Sequence, residues 1–268
     1  MNRLAELFSS CARSRRAALI MYATAGYPDM ARSEAAIEGA IASGADMIEL
    51  GVPFSDPMAD GPVICAAAKA AIEQGVTLPG ILAMAGRIRQ RHPKTGLILF
   101  SYMNMIFHYG IDRLCQDFAR LGGDGILAVD LPLEERDELL PSCRANGLHL
   151  IPLVSPATSL ERARRIVRDT TGFVYYVSLR GTTGVREAVA AELEERVRQV
   201  RKASPVPVVV GFGISSGAQA RRIAQYADGV VAGSAYVRCF ADERGFPEQL
   251  ASANALVREL AENLHVDP

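Results

Sequence analysis

Short apolar runs rich in β-branched residues alternate along the chain with longer stretches whose apolar positions recur every three or four residues. The first pattern predicts strands at Ala18–Thr24, Met47–Gly51, Leu97–Ser101, Gly125–Val129, Leu148–Val154, Phe173–Ser178, Val206–Gly211 and Gly229–Gly233. The second predicts helices at Ala31–Ser43, Leu78–Arg91, Ile111–Leu121, Glu134–Asn146, Leu160–Arg168, Ala188–Arg201 and Ala218–Gln225. Two further helices are expected, Arg3–Cys11 before the first strand and Val63–Gln74 between the second and third. Strands that alternate with helices form a parallel sheet, because each parallel pair needs a crossover connection. With no linker and no break in composition, the pattern favours one closed barrel over two domains. The fold expected is α/β: a single (β/α)8 TIM barrel spanning 1–268, with an extra N-terminal helix and additional short helices.

A weak internal echo supports that reading. Asp124-Gly-Ile-Leu-Ala-Val-Asp130 matches Asp228-Gly-Val-Val-Ala-Gly-Ser234, and Ala45-Asp46-Met-Ile resembles both openings. Each sets an aspartate just before a strand, at the barrel bottom, where such residues usually serve stability. Chemistry then belongs at the opposite strand ends, where Glu49, Asp130, the Tyr175–Ser178 run, Gly211 and Gly233 fall.

Glu49 is the unusual residue on this map. Side chains alternate along a strand, so Met47 and Glu49 face one way while Ile48 and Leu50 face the other. A carboxylate on a buried strand is costly unless it has a partner or sits at a solvent-facing mouth. Asp60 follows at the far end of a loop rich in Pro, Asp and Gly. Two acids bracketing one loop suit proton transfer without a metal. On these residues alone, a structural Glu in a hydrogen-bond network and a turn Asp are equally open.

Two glycine-bearing loops follow the last strands: Gly211-Phe212-Gly213-Ile214-Ser215-Ser216 and Gly233-Ser234-Ala235. Barrels frequently bind phosphate there, using close backbone approach and helix N–H groups. The spacing is not that of a dinucleotide fingerprint, and the expected acidic residue about 20 positions on is missing. A third glycine-rich stretch, Arg180-Gly181-Thr182-Thr183-Gly184, is either a mobile lid over Leu179–Ala191 or a plain surface loop.

Bulk composition removes other classes. With 49% hydrophobic and 22% charged residues and a net charge of −1, the chain has no global field to recruit nucleic acid or an anionic membrane. Its five cysteines are scattered, without a CxxC pair, and read as free thiols in a reducing compartment. The four histidines lack metal-ligand spacing, so no metal is expected. Without a signal-peptide pattern or a spanning apolar stretch, the expected location is cytoplasmic.

Glu49-Leu50-Gly51-Val52-Pro53-Phe54-Ser55-Asp56-Pro57 with Ala59-Asp60-Gly61-Pro62, then Thr183-Gly184, Gly211-Phe212-Gly213-Ile214-Ser215 and Gly233-Ser234-Ala235, together resemble the tryptophan synthase alpha chain family. The resemblance covers essentially the whole sequence. It implies a barrel lyase that cleaves indole-3-glycerol phosphate to indole and glyceraldehyde 3-phosphate by a retro-aldol step. It assigns Glu49 as the acid/base and Asp60 as the carboxylate that engages the indole N–H. Tyr22, Leu127, Tyr175 and Phe212 would line the indole pocket, Thr183 would also contact the substrate, and Gly184, Gly213, Ile214, Gly233 and Ser234 would hold phosphate. By the same resemblance this chain carries no cofactor. Pyridoxal phosphate belongs to a beta chain that receives indole through a tunnel in an alpha2-beta2 heterotetramer. Asp56, Pro57 and the surface loop expected at Tyr102–His108, with Asn104, Phe107 and His108, fall where the family contacts that partner. Cys65, Thr182 and Leu179-Arg180 depart from the family pattern, which bears on loop motion and coupling to the partner. Other readings are a sugar-phosphate isomerase barrel, a non-catalytic activator barrel and a stand-alone lyase that releases indole.

Overall fold

In the computed structural model, which describes residues 3–177, 187–211 and 213–266, the apolar runs become strands of one nine-stranded sheet. They are β1 (Ala18–Thr24), β2 (Met47–Gly51), β3 (Gly96–Ser101), β4 (Gly125–Ala128), β5 (His149–Leu150), β6 (Leu153–Val154), β7 (Val174–Val177), β8 (Val208–Gly211) and β9 (Gly229–Ala232). Their order is β5-β4-β3-β2-β1-β9-β8-β7-β6, and every ladder between them is parallel.

β5 and β6 are two halves of one barrel strand, not the single run Leu148–Val154 that the sequence suggests. Pro152 has no N–H to give to a ladder, and the segment changes the edge it uses there. His149 and Ile151 donate backbone N–H to Asp124 and Ile126 on one side, whereas Pro152 offers its carbonyl to the Tyr175 N–H on the other. One short segment thus bonds both of its neighbours, and the sheet closes into a (β/α)8 barrel.

Three helical regions also differ from expectation. Glu134–Asn146 is a 3-10 helix, Leu133–Glu138, followed by a separate α-helix, Leu140–Ala145. Pro141 explains the restart, since it has no amide proton and its ring clashes with the carbonyl four residues back. Tyr102–His108 is a helix rather than a loop, Met103–Tyr109. The barrel ends on Phe246–Glu262, a helix outside the predicted alternation because no strand follows to frame it. Its Ala253, Val257 and Leu260 are buried in the layer between sheet and helices.

Strand alternation sorts the core into two layers. Ala18, Ile20, Met47, Ile98, Leu127, Ile151, Val209 and Val231 fill the barrel interior, whereas Leu19, Met21, Ile48, Leu50, Leu97, Leu99 and Ile126 pack outward against helices. The N-terminal helix, Arg3–Arg13, plugs the bottom with Leu4, Phe8 and Cys11, and the Phe8 ring centre lies 5.9 Å from that of Phe173. Burying each of these large side chains contributes about 1.5–3 kcal/mol. The floor is therefore filled, and the mouth is the end left for chemistry.

The echoed aspartates share one job at that bottom. Asp46, Asp124 and Asp228 each donate their own N–H to the carbonyl of Leu19, Leu97 or Val208 and accept the same residue's N–H on a side-chain oxygen. Arginine completes every pair: Arg16 grips Asp46 with two bonds of 2.6 Å, Arg201 grips Asp228 at 2.6 and 3.1 Å, and Arg3 and Arg89 share Asp124.

Candidate active site

Glu49 is the third residue of β2, in register with Tyr22 of β1 and Ile98 of β3. Strand periodicity turns it inward, one step above Met47, toward the barrel mouth. It is fully buried, and neither carboxylate oxygen has a hydrogen-bond partner among the described residues. Burial alone pushes its pKa up to about 8, so neutral pH finds the carboxyl largely protonated but able to ionise. Such a group serves as either acid or base.

Asp60 reaches the same mouth from the end of the loop after β2, just ahead of the helix Pro62–Glu73. Burial raises its pKa, and a hydrogen bond of 3.1 Å donated by the Tyr102 hydroxyl pulls it back down. That hydroxyl also accepts the Ala59 N–H at 3.1 Å, and the Tyr102 ring packs 5.0 Å from Phe54. The two acids are thus held differently: Asp60 has a donor, and Glu49 has none.

Two more phenols enter the mouth. Tyr22 projects from β1 and Tyr175 from β7. Burial, followed by the negative charges of Asp60 and Glu49 for Tyr22 and of Glu49 first for Tyr175, keeps both protonated. Each lies over a glycine of the next strand. A methyl group on Gly51 would collide with the Tyr22 hydroxyl, and one on Gly211 with that of Tyr175. Glycine at these places is therefore a condition for the two rings to lean inward. Phe100 meets the Tyr22 ring edge-on at 5.1 Å, and Leu127 is wholly buried in the interior layer against which Phe100 and Tyr175 pack. This group brings together three of the expected indole contacts.

At the expected phosphate end, Gly213 has φ +74°, the left-handed region that favours glycine. Ile214 is buried, while Gly233 and Ser234 are half-buried. Gly233 opens the helix Ser234–Arg238 without a side-chain cap and packs against the Tyr22 ring, linking this end to the indole end. The neighbouring helix, Gly217–Ala224, is capped by Ser216, and the Ser215 N–H is taken by Gln219 at 2.8 Å. Thr183, Gly184 and Phe212 lie outside the described residues, as does the 179–186 part of the expected lid.

Beside the mouth, the helix Met103–Tyr109 buries Met103 and Ile106 and exposes Asn104, Phe107 and His108. Phe107 is 53% exposed and Met58, in the loop with exposed Asp56 and half-buried Pro57, is 88% exposed. Tyr102 does not belong to this surface. It is 3% exposed and turned under Asp60. Its role escapes pattern reading, although an aromatic ring with a polar tip just past a barrel strand is the available signal.

A (β/α)8 barrel with a buried, unpaired carboxyl and a second acid at its mouth is built as an acid/base enzyme. The profile of the family described as "Tryptophan synthase alpha chain" matches residues 8–265. The chain is 43% identical over 257 residues to the tryptophan synthase alpha chain of Opitutus terrae, covering 96% of both, and 46% identical over 240 residues to that of Geobacter sulfurreducens, covering 90% of both. A structure of Mycobacterium tuberculosis tryptophan synthase superposes with a TM-score of 0.89 at 40% identity over 99% of each chain. The chain belongs to the tryptophan synthase alpha chain family. It is a lyase of L-tryptophan biosynthesis that cleaves indole-3-glycerol phosphate to indole and glyceraldehyde 3-phosphate. Among the described residues no helix is long and apolar enough to cross a membrane.

Proposed function

We infer that Glu49 carries both proton transfers of this cleavage and that Asp60 carries the charge on the ring. The observation behind the assignment is a wholly buried carboxyl at a strand end, with no partner of its own and a pKa near neutrality. Protonated Glu49 delivers its proton to C3 of the indole, which leaves positive charge on the ring nitrogen. Asp60, as carboxylate, accepts the N–H and stabilises that charge. The resulting Glu49 carboxylate takes the proton from the glycerol hydroxyl. Its O–H electrons form the aldehyde, the carbon–carbon bond breaks, and that bond's electron pair neutralises the ring. The indole ring is its own electron sink, so the step needs no cofactor from this chain. Pyridoxal phosphate belongs to the beta partner.

Tyr22, Leu127, Tyr175 and Phe212 surround the indole in this reading, Thr183 also contacts the substrate, and Gly184, Gly213, Ile214, Gly233 and Ser234 receive the phosphate. The 268 residues act as a single barrel domain in the cytoplasm. Asp56, Pro57, Asn104, Phe107 and His108 face a beta chain in an alpha2-beta2 assembly, for which exposed Met58 and Phe107 supply the apolar area. The deciding experiment follows indole release from indole-3-glycerol phosphate by wild-type protein and by Glu49→Gln. Loss of cleavage with retained binding of a non-cleavable indole phosphate analogue supports the assignment, and near wild-type cleavage by the variant removes it.

A further inference from the structure

Tyr102 joins the proposed chemistry to the proposed partner surface. Its phenol donates to Asp60 Oδ2 and accepts the Ala59 N–H, both at 3.1 Å, so one buried hydroxyl holds the carboxylate and the adjoining backbone of the acidic loop. The ring is fixed from the side by Phe54 of the same loop. Its own backbone opens the helix Met103–Tyr109, with the Tyr102 carbonyl accepting the Met105 N–H at 3.1 Å. Asp130, from beyond β4, fixes that start by accepting the Met103 N–H at 2.8 Å. A single residue, Tyr102, thus joins Asp60 to the helix that presents Asn104, Phe107 and His108.

We propose that Tyr102 is a positioning residue for Asp60 and the strut through which the helix Met103–Tyr109 acts on it. This rests on the role assigned to Asp60 above. The hydroxyl has two consequences. It sets the angle at which the carboxylate meets the indole N–H, and as a donor it favours the ionised form that the step requires. Among the described residues, Glu49 from β2, Tyr22 from β1, Tyr175 from β7, Asp130 beside Tyr102 and Cys65, whose thiol donates to the Asp60 carbonyl, are the other titratable groups around this centre. Both phenols are held protonated there by burial. A partner that shifts the helix by a fraction of an ångström would tilt the phenol and move Asp60 with it.

Tyr102→Phe keeps the ring against Phe54 and removes only the hydroxyl. It is expected to lower kcat about tenfold, the effect of one hydrogen bond to a charged group, with KM changed less than twofold. The acidic limb of the kcat profile moves to higher pH because Asp60 loses its donor. Carbon-13 NMR of the Asp60 carboxyl shows the same upward move without reference to turnover. Stimulation by a beta chain, measured as the ratio of cleavage rates with and without it, falls. A wild-type kcat, pH limb and Asp60 titration in Tyr102→Phe would overturn the proposal and leave the phenol a packing group. Asp60→Asn is the control: if it retains turnover, the role of Asp60 fails independently of Tyr102. Thermal melts of both variants verify that the barrel is folded.

Discussion

The two ends of this barrel treat a buried carboxylate in opposite ways. At the bottom, Asp46, Asp124 and Asp228 each accept a backbone N–H and an arginine, so their charge is met wherever it points. At the mouth, Glu49 is buried more deeply than any of the three and has neither kind of partner among the described residues. The residue class is the same; what differs is the depth of burial and the supply of donors. A supplied carboxylate cross-links strands. An unsupplied one keeps its proton to near neutral pH, a cost the fold bears where chemistry uses it.

Substitutions at the two ends should therefore separate activity from stability. Glu49→Gln is expected to cut turnover by roughly 10²–10⁴ or more while leaving the protein at least as stable, as read by indole release and denaturant unfolding. Asp124→Ala should do the reverse. It strands Arg89 and the Leu97 N–H, both well shielded, and should lower stability by about 3 kcal/mol with turnover per folded molecule unchanged. If Asp124→Ala lost activity at full stability, the division between the ends would break.

A pH series sharpens the same contrast. The Glu49 carboxyl moves from an ordinary 4.5 to about 8 on folding, so the folded state holds a proton that the unfolded chain has released. Its contribution to stability is fully present below about pH 4.5 and is lost as pH rises through about 8. Glu49→Gln removes that dependence. The variant should gain on wild type by roughly 2–4 kcal/mol between about pH 4.5 and pH 9, as read by urea unfolding. Parallel stability curves for the two proteins would show that Glu49 is paired after all.

The smallest effect is expected on the exposed surface beside the mouth. Phe107→Asp places a charge where an apolar rim would be covered, and should weaken association with a beta chain about tenfold or more in a titration. The basal cleavage rate should hold, since the Phe107 side chain is exposed and its helix is anchored by buried Met103 and Ile106. Equal loss of basal rate would place the residue within the folding core.

Much of this was legible along the chain because it depends on local spacing. A period of two sends Met47 and Glu49 inward and Ile48 and Leu50 outward, and the two layers follow that division. Prolines that break elements were also in plain view, yet Pro141 and Pro152 divide a predicted helix and strand, since a hydrophobic pattern can run straight through a residue that has no N–H. The Glu49–Pro62 motif led to the family, and the comparisons bear that out.

What folding decided is how each acid is met. Asp124 is held by Arg3, 121 residues away, and by Arg89, 35 residues away, while the donor for Asp60 comes from Tyr102, 42 residues on. Tyr22 leans inward because Gly51, on a different strand, leaves it room. None of these pairs has a spacing that a pattern could carry. The sequence by itself determined which residues face the barrel interior, since that follows from backbone geometry repeated at short range. Only closure of the sheet decided which inward carboxyl would find a donor, because hydrogen bonds act over about 3 Å and distant segments come that close only in the folded chain.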